Sequence, residues 1–335
     1  MPSRLAALAL VLAPFAASAQ PPEAAISNGL LSAKIYLPDA KTGYYRGTRF
    51  DWSGVVRSLV FQGHDFYGPW YQDTRPAVRD FIYEGPKVIT GAASSVYGPV
   101  EEFFTGTTAL GFEEAKAGGT FIKIGVGRLR KPDDKPYDHY LPYEIVDPGK
   151  WTVRRHSDSV EFTQQLKGTD GYSYTYTKSV RLVPGAPRMT IAHSLRNTGT
   201  KTITASTYNH NFTVVDGHGP KPGDKLTAAF DLRTPAPLEN DLASVEGRSL
   251  VYRKPVEGEA RVFTLLQGYS RDTRDFDFRL ETAAGPGYRV TADQPVSRAM
   301  FWSIRSVISV EPYIDLKVEP GRTVSWTLTY DYFVK

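Results

Sequence analysis

The chain contains no cysteine, which excludes a disulfide framework, a thiolate metal site and a cysteine nucleophile. Beyond its first residues it has no apolar run long enough to cross a bilayer as a helix. Clustered basic residues are also missing. The 40 Lys and Arg are offset by 36 Asp and Glu, giving a formal charge of +4 along 335 residues, so no nucleic-acid face is expected. The six histidines are scattered, and only His210 and His218, flanking a glycine-containing turn, approach a metal-like spacing. Gly125-Val126-Gly127 lacks the third glycine and following helix of a dinucleotide loop. Asp272-Thr273-Arg274-Asp275-Phe276-Asp277 lacks the glycine and terminal glutamate of a calcium loop. The sequence therefore calls for no cofactor and no metal.

What the chain does have begins at its N-terminus. Arg4 precedes the apolar run Leu5 to Ala16, and Ala17-Ser18-Ala19 before Gln20 forms a small-x-small cleavage signature. This pattern reads as a secretory signal peptide over residues 1–19, too short and wrongly flanked for a membrane anchor. Removing it takes away Arg4 and leaves a charge of about +3. A periplasmic or secreted protein is expected, with residues 20–335 forming one domain large enough to be stable without disulfides.

Strand signals fill that remainder. Val55–Phe61, Thr120–Leu129, Ser159–Leu166, Tyr172–Leu182, Arg188–Asn197, Thr202–Tyr208, Arg261–Tyr269, Asp275–Glu281, Tyr288–Ala292 and Thr323–Phe333 are rich in Val, Ile, Thr and aromatic residues. Several alternate with a period of two. Turn signals such as Asp147-Pro148-Gly149, Pro184-Gly185, Asn197-Thr198-Gly199 and Pro320-Gly321 separate them. No segment sustains a helical period beyond about two turns. The fold class expected is all-β, a large antiparallel β-sandwich.

Two short segments carry the chemistry. Tyr208-Asn209-His210-Asn211-Phe212 supplies an imidazole and Val310-Glu311-Pro312-Tyr313 a carboxylate, the minimum needed to give a proton to one atom and take one from another. A charged Glu311 beside the apolar Val307–Val310 run needs a partner or an open cavity. Arg46 and Arg49 lie in an aromatic-dense loop, Tyr44 to Trp52, that suits the lining of a cleft. Arg79 is a further candidate, as is Glu102 after the Gly98-Pro99 turn; of Glu101 and Glu102, one is expected to be solvated and the other paired. Trp302 is a possible ligand platform. His193 alternates with apolar neighbours and reads as a strand-face residue.

In order along the chain, these elements resemble the galactose mutarotase-like superfamily, which includes the aldose 1-epimerases. Asn209-His210-Asn211-Phe212 resembles that family's Asn-His-(Ser/Thr)-Tyr-Phe segment, one residue shorter before the Phe. Val310-Glu311-Pro312-Tyr313 resembles its Leu-Glu-(Thr/Pro)-Gln segment, and Pro320-Gly321 its turn before the last strand. The resemblance implies a supersandwich with a sugar on its concave face, His210 as proton donor and Glu311 as proton acceptor, and the two are expected to straddle the sugar ring. It also implies no cofactor; Tyr208 and Asn209, in the same segment as His210, are further candidates for sugar contact. The family's N-terminal sugar-gripping segments have no counterpart, which points away from simple galactose or glucose. Arginines near the cleft would instead suit an acidic sugar, and an oligomeric one is equally open. Two other readings remain: a polysaccharide lyase or hydrolase with Tyr208 or His210 as base, and a non-catalytic carbohydrate-binding protein.

Overall fold

The computed structural model describes residues 20–168, 170–238 and 241–335. The predicted leader, 1–19, lies outside them. The described residues are mostly strand and turn, and they include a short 3-10 turn at Thr273–Asp275. The all-β expectation holds.

Two antiparallel sheets form the framework. The larger has ten strands, in the spatial order Lys150–Arg155, Ser159–Lys167, Ser173–Leu182, Arg188–Asn197, Thr323–Phe333, Gly287–Ala292, Asp277–Glu281, Lys225–Ala228, Ser249–Tyr252, Ala243–Glu246. The smaller has five, in the order Arg261–Leu265, Arg298–Ile304, Val307–Val318, Ile203–His210, Val100–Phe104. Period-two alternation decides what lies between them. Tyr174, Tyr176 and Val180 of the large sheet are buried, as are Trp326, Leu328, Tyr330 and Tyr332. From the small sheet Phe103 meets Trp326 and Tyr176 with ring centroids 6.2 and 5.5 Å apart. Val310, Ile314, Leu316 and Val318 complete that interior.

Buried hydroxyls crossing this interior find partners, as the low-dielectric environment requires. Tyr330 donates to Asn211 at 2.8 Å, and Thr213 pairs with Tyr288 at 3.0 Å. A charged cluster is embedded there too. Lys178 contacts Glu101 and donates to the Ser53 carbonyl at 2.7 Å, while His193 Nε2 meets Glu101 at 2.9 Å. His193 also stacks on Trp326, 4.7 Å between centroids, so it is a buried structural residue of its strand.

Two predicted strands differ in detail. Thr120–Leu129 is a hairpin, Thr120–Lys123 and Gly127–Arg130, because Gly125 and Gly127 at positive φ turn the chain between them. The strand carrying Glu311 does not stop before Pro312 but runs from Val307 to Val318.

Candidate active site on the five-stranded sheet

The small sheet turns one face to the core and the other to a cavity of about 430 Å³, a size within the usual range for small-molecule sites. Alternation assigns the residues. Tyr208 and His210 on one strand, Ser309, Glu311 and Tyr313 on the next, and Met300 and Trp302 on the third share the cavity face. Asn209, between Tyr208 and His210, faces the opposite way.

The register sets His210 against Glu311. Pairing between their strands runs from Ile203↔Val318 to Tyr208↔Tyr313 and resumes at Thr213↔Ile308. Across the gap the same register continues, so His210 lies opposite Glu311 and Asn209 opposite Pro312. Pro312 has no N–H to give Asn209, and the ladder opens there. The Val310 carbonyl, which a regular ladder would pair with the Asn211 backbone, accepts the Asn211 side-chain amide at 2.7 Å instead.

In that opening His210 Nδ1 lies 2.8 Å from Glu311 Oε1 and 2.9 Å from Ser309 Oγ. The approach to Ser309 has hydrogen-bond geometry. Glu311 Oε1 has no aligned hydrogen-bond partner, so its contact with the ring is electrostatic proximity rather than a directed bond. Both side chains are nearly enclosed, 9% and 7% exposed, and both line the cavity. Among the described residues no hydrogen bond occupies His210 Nε2 or Glu311 Oε2. The imidazole is clamped flat on Phe212, 4.0 Å and 11° apart, with Phe50 and Trp302 edge-on at 5.7 and 5.9 Å. Gly98 explains how the chain passes behind it. A Cβ there would come within 2.3 Å of Phe212 N and 2.7 Å of the His210 carbonyl.

The expectation that acid and base would straddle a sugar ring is corrected. Cross-strand neighbours on one sheet face stand side by side, so the two groups present a common face to the cavity instead of opposing each other across it.

Glu102 is also corrected, from ligand contact to support. It is fully buried and accepts from Arg49 Nε at 2.8 Å, Lys123 Nζ at 3.2 Å and the Tyr208 hydroxyl at 2.7 Å. Burial pushes its carboxyl up, but Arg49 and Lys123 outweigh that and hold it at about 2. Neither Glu101 nor Glu102 is solvated, since each faces an ionic partner on its own side of the sheet. Burial and the Glu102 carboxylate push the Tyr208 phenol well above its ordinary value, which leaves it a donor and removes it as a base.

Arg49 and Trp302 line the cavity as expected, Arg49 lying over the Phe50 and Tyr140 rings at 4.5 and 4.9 Å. Three other sequence candidates do not reach it. Arg46 is exposed and donates to the Lys41 carbonyl, because its loop turns the side chain outward. Arg79 forms a two-pronged pair with Asp138 at 2.9 and 3.0 Å on the surface. Asn209 points into the interior, donating to Glu101 at 3.2 Å and Tyr330 at 3.3 Å.

Sequence reasoning missed several cavity residues. Tyr313 and Asp315 follow from Glu311 by alternation once the strand is continued through Pro312, and the same alternation run backwards reaches Ser309, buried behind the cavity wall against His210 Nδ1. Arg298 lies opposite Tyr313 on the neighbouring strand, its guanidinium 5.3 Å from that ring. Asp80 and His139 come from loops, where no period marks them. Burial and the charge of Arg49 lower His139 to about 4, so it is a neutral imidazole in the cavity wall at neutral pH.

No family model matches the sequence, and no curated protein matches it. Solved structures do match its fold. A candidate aldose 1-epimerase from Escherichia coli K12 is 11% identical at a TM-score of 0.53, covering 94% of this chain and 99% of that one. An aldose epimerase homologue from C. elegans is 14% identical at 0.52, covering 94% and 99%. A galactose mutarotase related enzyme from Lactobacillus acidophilus is 12% identical at 0.51, covering 93% and 99%. At such identities the likeness is one of architecture, and that architecture is galactose mutarotase-like.

Proposed function

We propose that the protein is an aldose 1-epimerase-like isomerase, interconverting the anomers of a reducing sugar laid over His210 and Glu311. The observation that carries this reading is the His210–Glu311 contact on the floor of an aromatic-lined cavity, with the outer atoms Nε2 and Oε2 uncommitted. Ring opening requires a proton to leave the anomeric hydroxyl while another reaches the ring oxygen. Glu311 Oε2 takes the first and His210 Nε2 gives the second. Rotation about C1–C2 and closure with the roles reversed produce the other anomer. Ser309 fixes the ring's orientation through Nδ1.

The arginines expected from sequence to grip an acidic sugar are already committed, while Arg298 of the cavity wall has no ion pair among the described residues. Arg49 is neutralised by Glu102 and Arg79 by Asp138, so neither offers a free fork to a carboxylate. The leader-like N-terminus supports action outside the cytoplasm, and N-terminal sequencing of the mature protein checks that assignment.

Polarimetry on freshly dissolved reducing sugars tests the activity. His210→Ala and Glu311→Gln should each slow catalysed mutarotation by about 10²–10⁴-fold while keeping the wild-type circular dichroism spectrum. Wild-type rates in both variants would end the assignment.

A further inference from the structure

The cavity over His210 and Glu311 does not close at Tyr313. Ser297 and Asp315 line it and also line a second cavity of about 440 Å³, whose other walls include Tyr269, Arg271 and Gln294. Glu311, Tyr313 and Asp315 lie on one face of the same strand, so Asp315 stands roughly 13 Å from Glu311 at the usual rise per residue. A single pyranose, whose O1 and O4 are separated by little more than the ring's own diameter, does not reach from one carboxylate to the other.

The polar groups at this junction are largely uncommitted. Among the described residues, Asp315 accepts one hydrogen bond, from Ser297 at 3.0 Å, and the Gln294 amide makes none. The Tyr269 hydroxyl reaches the Ser297 carbonyl at 3.4 Å, and its ring is held edge-on by Phe230 at 5.8 Å. A carboxylate acceptor, a two-sided amide and a fixed aromatic ring together match the alternating hydroxyls and apolar faces of a glycan.

We propose that the two cavities form one continuous cleft for a reducing oligosaccharide. Its terminal residue lies over His210 and Glu311, and the following residues pass the Ser297–Asp315 wall into the second cavity. This rests on the function proposed above and names its substrate class: reducing oligosaccharides rather than free monosaccharides.

The test compares mutarotation of glucose and galactose with that of their 1,4-linked trisaccharides, in the wild type, an Asp315→Asn/Gln294→Ala double variant and the remote surface control Leu30→Ala. At least one trisaccharide should exceed its monosaccharide about tenfold in kcat/KM, a difference of about 1.4 kcal/mol, carried by KM. The double variant should bring that ratio close to one, and the control should preserve it. Equal values for monosaccharide and trisaccharide, or a preference that survives the double variant, would overturn the proposal while leaving the epimerase reading intact. If no sugar is turned over, the epimerase reading fails, and calorimetric binding of the same sugars decides the cleft. Trisaccharide binding about tenfold tighter than monosaccharide, lost in the double variant, supports it. Equal or absent binding overturns it.

Discussion

His210 stands directly across from Glu311 on adjacent antiparallel strands, 2.8 Å away, where Pro312 interrupts the ladder between them. The interruption makes the pair usable. A proline without an N–H, opposite the Asn209 carbonyl, leaves the two strands unpaired from Asn209 to Phe212.

Pro312→Ala restores that N–H and lets the ladder close. Stability should stay the same or rise by about 1 kcal/mol, the net worth of a typical hydrogen bond, while kcat falls as His210 and Glu311 are drawn out of position. Urea unfolding and steady-state polarimetry on one preparation measure both. A variant with full activity would show that the gap is incidental.

On the proposed function, Ser309 is expected to act through His210 rather than on the sugar. Its Oγ is 2.9 Å from Nδ1, so Ser309→Ala frees the ring to rotate and to lose its preferred tautomer. The expected result is a fall of about tenfold in kcat with KM unchanged and partial recovery in Ser309→Thr. A rise in KM alone would place the serine in ligand contact instead.

Glu102 neutralises two cations beneath the cavity, with Lys123 and Arg49 both nearly sealed from water. Glu102→Ala leaves Lys123 buried without an ion pair and Arg49 with only the Asp80 carboxylate at 3.9 Å, for a loss of about 3–5 kcal/mol in chemical unfolding. Glu102→Leu/Lys123→Met, which removes a charge of each sign, should recover part of that loss. No recovery in the double variant would contradict the pairing.

Acid should destabilise the protein in two stages. His139 titrates near 6.5 when unfolded and at about 4 when folded. Between those values the unfolded chain binds the extra proton, so stability falls as pH drops through that window. Glu102 follows, its carboxyl moving from 4.5 to about 2 on folding; its contribution is complete above about 4.5 and lost on approach to about 2. Thermal midpoints recorded against pH should decline in both windows. His139→Gln should flatten the first and spare the second.

Much of the architecture was legible because strand alternation is a local property. Thr323–Phe333 is read from sequence at its observed limits, since each of its residues has a fixed side of the sheet whatever its neighbours do. The glycines at 125 and 127 turn what periodicity alone reads as one strand into a hairpin. Pro312 misled in the other direction, because a proline inside a strand ordinarily argues for its end. Stopping the strand there hid Tyr313 and Asp315. The arginines were the least legible. Arg46, Arg49 and Arg79 sit in similar aromatic surroundings in the sequence, and only Arg49 enters the cavity.

The sequence by itself determined an all-β chain and the absence of thiol chemistry. Each follows from residue type or from a period of two along the chain. The tertiary structure alone decided that His210 and Glu311 touch, that Glu102 supports the floor, that Asn209 faces inward and that a second cavity adjoins the first. Those facts depend on register between strands separated by about a hundred residues. That register is set by the summed burial of two sheet faces, which no local stretch of sequence records.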